Sequence, residues 1–146
     1  MAHSAHPHPS PAARGLLLGV ASLVVFAVTL APRQLVGPVR ARFIDFAHVF
    51  AAPLIEPMTS LEVESTLNAM LFVPLGAAVA LAFSRRLWML VPLLVFSASF
   101  AIEHVQAAIP GRVPDVQDVV WNTIGGVVGA VVVGIVREVR GVRRRQ

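Results

Sequence analysis

Cysteine is absent from the 146 residues. Disulfides, thiolate metal sites and a cysteine nucleophile are therefore excluded together, and cysteine usage says nothing about redox compartment. Lysine is absent as well, since all 12 basic residues are arginine. Charge is scarce: 14% of residues are charged against 56% hydrophobic, which excludes a disordered chain or a coiled coil and is too apolar for an ordinary soluble domain. The net charge of +4 is not a nucleic-acid footprint. Five of the 12 arginines fall in the last ten residues, beside the end of an apolar run, and that distribution is topological.

What the chain has in abundance is long uncharged runs. Gly15 to Ala31 (17 residues), Ser65 to Ser84 (20), Leu87 to Ile102 (16) and Val119 to Val136 (18) contain no Asp, Glu, Lys or Arg. A hydrocarbon core about 30 Å thick needs roughly 20 helical residues, so these are four transmembrane helices, the shorter ones extended by polar residues at their ends. With four spans both termini share a side. Eight arginines (14, 85, 86, 137, 140, 143, 144 and 145) then face four (33, 40, 42 and 112), and the positive-inside rule puts both termini in the cytoplasm. The first run is longer than a secretory h-region and reads as a retained signal anchor, with cleavage after Ala31 as the alternative. The expected organisation is a disordered cytoplasmic tail over 1–14, bearing His3, His6 and His8, a membrane domain over 15–136, and a basic cytoplasmic tail over 137–146.

Between the first two runs, Gln34 to Glu64 is too polar to span and too apolar for a free loop. Phe43, Ile44, Phe46, Val49, Phe50, Leu54 and Ile55 make a broad apolar surface, with Asp45 and His48 on a narrow polar stripe. An interfacial or re-entrant helix is expected, ended by Pro53 and Pro57. The second spanning helix begins near Glu62 and carries Pro74, with Gly76 just after it; Pro74 removes the donor for the Met70 carbonyl and predicts a kink. The third begins near Leu87 and runs to Ile109, where Pro110-Gly111 stops it. The fourth starts at Asp115 as N-cap with Asp118 at N3. Gly125 with Gly129, and Ala130 with Gly134, are small-xxx-small spacings that admit a close helix neighbour within the chain or a homodimer partner.

Glu103 is the residue least explicable by packing, because a carboxylate inside a membrane helix costs several kcal/mol unless protonated, paired or hydrated. Ser99, Glu103 and Gln106 share one face of the third helix. Either Glu103 serves a site, or it pairs with Arg112 and holds the outer loop. Asp115 is explained by capping alone, whereas Asp118 points with Asn122 toward the small-residue face. Asn122 and Asn68 are amides at membrane depth, suited to interhelical hydrogen bonds or to a site. Asp45 and His48 are either an oriented acid/base pair or a plain interfacial pair. Together, Glu103, Gln106, Arg112, Asp115, Asp118, Asn122, Asn68, Asp45 and His48 are expected to converge on the outer half of the bundle. Such a cluster suits a hard cation, Mg or Mn, on oxygen ligands, or a phosphate on Arg112 with a carboxylate as base, although no spacing is a metal signature.

Two stretches carry a family resemblance. NAMLFVPLG from Asn68 to Gly76, then SASFAIEHVQAAIPGRVPDVQDVVWNTIGGVVG from Ser97 to Gly129, closely resemble the VanZ-like family of small bacterial membrane proteins. Its pattern is Asn before Phe-x-Pro-x-Gly, then Glu-x-x-Gln, Gly-Arg and Asp-x-x-x-Asn-Thr-x-Gly. Here it falls on Asn68, Phe72, Pro74, Gly76, Glu103, Gln106, Gly111, Arg112, Asp118, Asn122, Thr123 and Gly125. Asp45-x-x-His48 resembles a further Asp-Lys-x-x-His segment, with Phe46 in place of the Lys. The family's name comes from a protein associated with low-level resistance to the lipidated glycopeptide teicoplanin, so the resemblance implies a role at the cell envelope without implying a reaction. The expectation is an all-α integral membrane protein in the cytoplasmic membrane, with four spans and an interfacial segment between the first two. Its polar extracytoplasmic site would bind or act on a membrane lipid or lipid-linked envelope precursor and affect lipoglycopeptide susceptibility. The alternatives are a divalent-cation-dependent enzyme acting on a lipid phosphate or glycolipid, and a small proton-linked transporter through Glu103.

Overall fold

The computed structural model describes residues 10–109 and 114–143. Its regular structure there is wholly helical: α1 (Pro11–Leu30), α2 (Arg33–Ile55), α3 (Ser60–Ala82), a 3-10 turn (Arg85–Leu90), α4 (Val91–Gln106) and α5 (Val116–Arg143). Four of these segments are long and apolar enough to cross a membrane, namely α1, α3, α5 and Arg86–Gln106, in which the 3-10 turn lengthens α4. The chain is a multi-pass membrane protein. Its outward faces fit hydrocarbon: of α1 only Val25 is buried, while Leu16 and Leu23 are each 68% exposed.

Local chemistry sets the helix boundaries. α1 starts at Pro11, before the apolar run, because Pro is pre-organised for the first helical position and the Ser10 hydroxyl accepts from the Ala13 amide (3.1 Å). Thr59 and Glu62 form a reciprocal capping box that opens α3. α2 runs two residues past Pro53, and it is kinked at Ala51 (φ −132°, ψ 23°), in the turn where that proline's ring and missing amide interrupt the helix. α3 continues through Pro74 to Ala82. α4 begins later than Leu87, with Pro92 in its first turn where a missing amide costs nothing, and ends at Gln106 rather than Ile109. The Ala108 and Ile109 amides donate to the Val105 and Gln106 carbonyls, tightening the chain into a turn. α5 carries the helix through Arg137 and Arg140 to Arg143, so the basic segment extends the last helix.

α3 and α5 are the central pair, and they run parallel: Gly125 lies on the backbone of Ala69 and Gly129, one turn on, on that of Val73. Gly76 lies on the backbone of Gly126, and Gly126 in turn faces the Val95 side chain of α4. A β-carbon at any of the four would collide, so glycine is required by proximity. The stripe that suggested a homodimer is thus taken up within the chain. The core around this seam is Val25, Phe72, Leu75, Val79, Ala80, Val91, Val95, Ile102 and Ala130. One end of the bundle carries Arg14, Arg86 and Arg137, whose guanidinium donates to the Leu81 carbonyl (3.3 Å). The other end gathers the C-termini of α1 and α4 and the N-termini of α3 and α5.

Candidate functional site

At that second end the buried side chains change from apolar to polar. Ser65, Ser99, Glu103, Gln106 and Asn122 are all buried. They come from three helices and face one another because the glycine seam brings α3 and α5 together directly beneath them. The Asn122 amide donates to the Ser99 hydroxyl (2.9 Å), joining α5 to α4. Gln106 donates to the Thr29 carbonyl at 2.6 Å and so ties α4 to α1. That carbonyl lies in the last turn of α1, where helix geometry leaves no intrahelical donor. Glu103 accepts from the Asp115 amide (2.8 Å), fixing the approach to α5, and the Asp115 carboxylate accepts from the Gln117 amide (2.8 Å). Asn68 hydrogen-bonds the half-buried Asp118 across the α3–α5 seam.

Five of these groups floor a cavity of about 470 Å³ lined by α1 to α5. Asn68, Glu103, Gln106, Asp118 and Asn122 supply its polar side, while Val28, Leu35, Val39, Phe43, Leu67 and Leu71 supply an apolar wall. Leu35, Val39 and Phe43 are themselves largely exposed, so the wall continues onto the protein's outer surface. Two further charged residues line the cavity, Arg40 of α2 and Glu64 of α3. The Arg40 guanidinium donates to the Glu64 carbonyl (3.0 Å) and pairs with its carboxylate (3.4 Å). Neither stands out in the sequence, where Arg40 counts toward topology and Glu64 only marks the end of the segment between the first two apolar runs. The available signal was helical spacing, since Val36, Arg40 and Phe43 fall on one face of α2.

Two buried atoms of this lining have no hydrogen-bond partner: the Asn122 carbonyl oxygen and Arg40 Nε. Both belong to residues that line the cavity, and each atom is itself fully buried, leaving a hydrogen-bonding capacity that the described residues do not fill. Asp45 and His48 do not line it; both are exposed on α2. Arg112 and Gly111 lie outside the described residues, as do His3, His6, His8, Arg144 and Arg145. Among the described residues, no three histidine or acidic side chains gather to hold a metal ion.

The order of this polar layer, Asn68, Glu103, Gln106, Asp118 and Asn122 above a Gly76/Gly125 seam, is the order of the family motif, and the family model described as VanZ/LLP1 matches residues 15–137. The chain belongs to the VanZ/LLP1 family. The match takes in α2, α3 and α4 whole and most of α1 and α5, so in this VanZ/LLP1 protein the cavity and every described group that floors it fall within the family domain. No curated protein and no solved structure matches the chain.

Proposed function

We propose that the cavity receives the headgroup of an envelope lipid or lipid-linked cell-wall component, with the lipid's chain along the wall of Val28, Leu35, Val39 and Phe43. By holding that component, the protein changes how lipoglycopeptides engage the cell surface. The observation that carries this reading is one cavity that joins a polar floor to an apolar wall open to the outer surface. An amphiphile matches both, because its head satisfies the floor while its chain stays in an apolar medium. In this reading both termini are cytoplasmic, α2 lies at the interface, and the cavity opens on the extracytoplasmic side of the cytoplasmic membrane. The arginines at the opposite end of the bundle support that orientation.

The test is lipoglycopeptide susceptibility of a sensitive host expressing the chain or its Glu103→Gln and Asp118→Asn variants at matched membrane abundance, with a non-lipidated glycopeptide as control. Protection by the parent chain against the lipidated drug, lost in both variants, is the expected result. Protection that survives both substitutions would remove the cavity from the function, and absence of protection by the parent chain would remove the susceptibility role.

A further inference from the structure

α2 covers the apolar side of the cavity without being packed into the bundle. It contributes Leu35, Val36, Val39, Arg40 and Phe43 to the lining. Yet none of its described side chains is buried, and it packs broadly against no other helix. Short connections tether it at both ends, residues 31–32 to α1 and 56–59 to α3. Between those ends, the one hydrogen-bonded or ionic tie from α2 to another helix among the described residues is Arg40 to the Glu64 carbonyl and carboxylate. The two side chains are 27% and 50% exposed, and an ion pair so open holds weakly. A helix without buried apolar contacts, held by one weak tie, belongs to the low-stability end of a structure, from which moving lids are drawn.

The apolar stripe of α2 is longer than the cavity beneath it. At about 100° per residue, Leu35, Phe46, Val39, Phe50 and Phe43 fall within one arc of about 80°. Leu35, Val39 and Phe43 wall the cavity, whereas Phe46 and Phe50, 61% and 75% exposed, continue the stripe where the rest of the chain does not cover it. In a multi-pass membrane protein, hydrocarbon covers such a stripe at least cost. One apolar face thus leads from the bilayer to the cavity. We propose that α2 is a lateral gate. Latched by Arg40 and Glu64 it closes the cavity; unlatched, it swings on its tethers and admits a lipid sideways along the stripe, headgroup toward the polar floor. The gate rests on the lipid-binding reading above.

The experiment reads the position of α2 and the passage of lipid separately. Because the chain has no cysteine, His48→Cys with Val120→Cys gives a single pair of labelling sites, both exposed and neither lining the cavity. Spin-label distances between them, measured by double electron–electron resonance on the full chain in nanodiscs, report where α2 lies against α5. The parent gives one narrow distribution, Arg40→Glu adds a longer component by setting like charges against each other, and Arg40→Glu with Glu64→Arg recovers the parent distance. On the unlabelled chain, native mass spectrometry follows uptake of phosphatidylethanolamine by delipidated protein and its exchange for a deuterated copy. Arg40→Glu speeds both by roughly three- to fivefold, the factor for loss of a partly exposed ion pair, and the paired reversal restores both. Unchanged distances in Arg40→Glu, or a broad distribution in the parent, overturn the latch. Faster exchange with unchanged uptake means weaker binding and overturns the gate, as do longer distances with neither rate altered. Retention of no lipid by the parent chain overturns the lipid-binding reading and the gate with it. If Arg40→Glu does not fold, Glu64→Gln, which keeps the shape and the backbone bond and removes the ion pair, shifts distances and both rates in the same direction, and its failure to do so overturns the proposal.

Discussion

Replacing Gly125 with alanine should destabilise the protein, whereas the same replacement at Gly19 should not. At Gly125 a β-carbon would meet the backbone of Ala69, with the carbonyl carbon at 2.7 Å and Cα at 2.9 Å, and the carbonyl oxygen closer still. Ordinary contact is 3.4–4 Å, and a backbone cannot rotate out of the way as a side chain can, so α3 and α5 must move apart. A gap of about 0.5–1 Å forfeits a quarter to a half of each dispersion contact along the seam, and overpacking of this kind costs about 1–3 kcal/mol. Alanine's higher helix propensity returns up to about 1 kcal/mol. At Gly19 the β-carbon meets nothing within 4 Å, so only the propensity gain remains. The propensity gain is common to both, so the two variants should differ by the overpacking cost, roughly 1–3 kcal/mol, or several degrees in Tm for a chain of this size. Thermal melting of both in one detergent, followed by circular dichroism at the helix band, is the assay. Equal midpoints would refute the reasoning, because they would mean that α3 and α5 do not touch at Gly125.

Two other contacts make separate predictions. Gln106→Ala removes the 2.6 Å bond that satisfies the Thr29 carbonyl, leaving a part-buried acceptor unpaired at a cost of about 1–3 kcal/mol. The last turn of α1 should then exchange its amide protons faster than its middle; unchanged exchange there and an unchanged Tm would show that Gln106 does not hold α1. Thr59→Ala removes the hydroxyl half of the capping box, so the amides of Leu61 to Val63 should exchange several-fold faster while those beyond Leu67 do not change. Acceleration spread along the whole of α3 would argue that Thr59 does more than cap.

The uncharged runs made the spans legible because nothing but a membrane tolerates such runs on four helices, and the glycine spacing located the seam because backbone contact leaves no alternative to glycine. Glu103, Gln106, Asp118 and Asn122 stood out because polar atoms at membrane depth require partners. The partners themselves were less readable. Gln106 is answered by the Thr29 carbonyl and Glu103 by the Asp115 amide, backbone groups that carry no sequence signature. Asp45 and His48 shared a stripe, but at about 100° per residue Asp45 lies about 140° around α2 from Arg40, the residue that reaches the cavity. Sequence spacing shows which residues share a face; it does not show which face is covered.

The seam and the cavity are not independent features. Gly125 and Gly129 bring α5 onto α3, and the same approach, continued toward the N-termini of these parallel helices, brings Asp118 within a hydrogen bond of Asn68. Asn122 belongs to the same end of α5 and reaches Ser99 of α4, while Gly126 rests on Val95 one turn earlier on that helix. A substitution that widens the seam should therefore disturb the polar floor as well as the fold, and loss of activity in Gly125→Ala would not by itself implicate the cavity. Asp118→Asn tests the floor while leaving the glycine contacts untouched: it preserves shape and keeps an oxygen for Asn68, while removing the charge and exchanging the second oxygen for an amide nitrogen. Loss of protection in that variant at an unchanged Tm would assign the function to the cavity's electrostatics, whereas loss of protection together with Tm would assign it to the packing that builds the cavity.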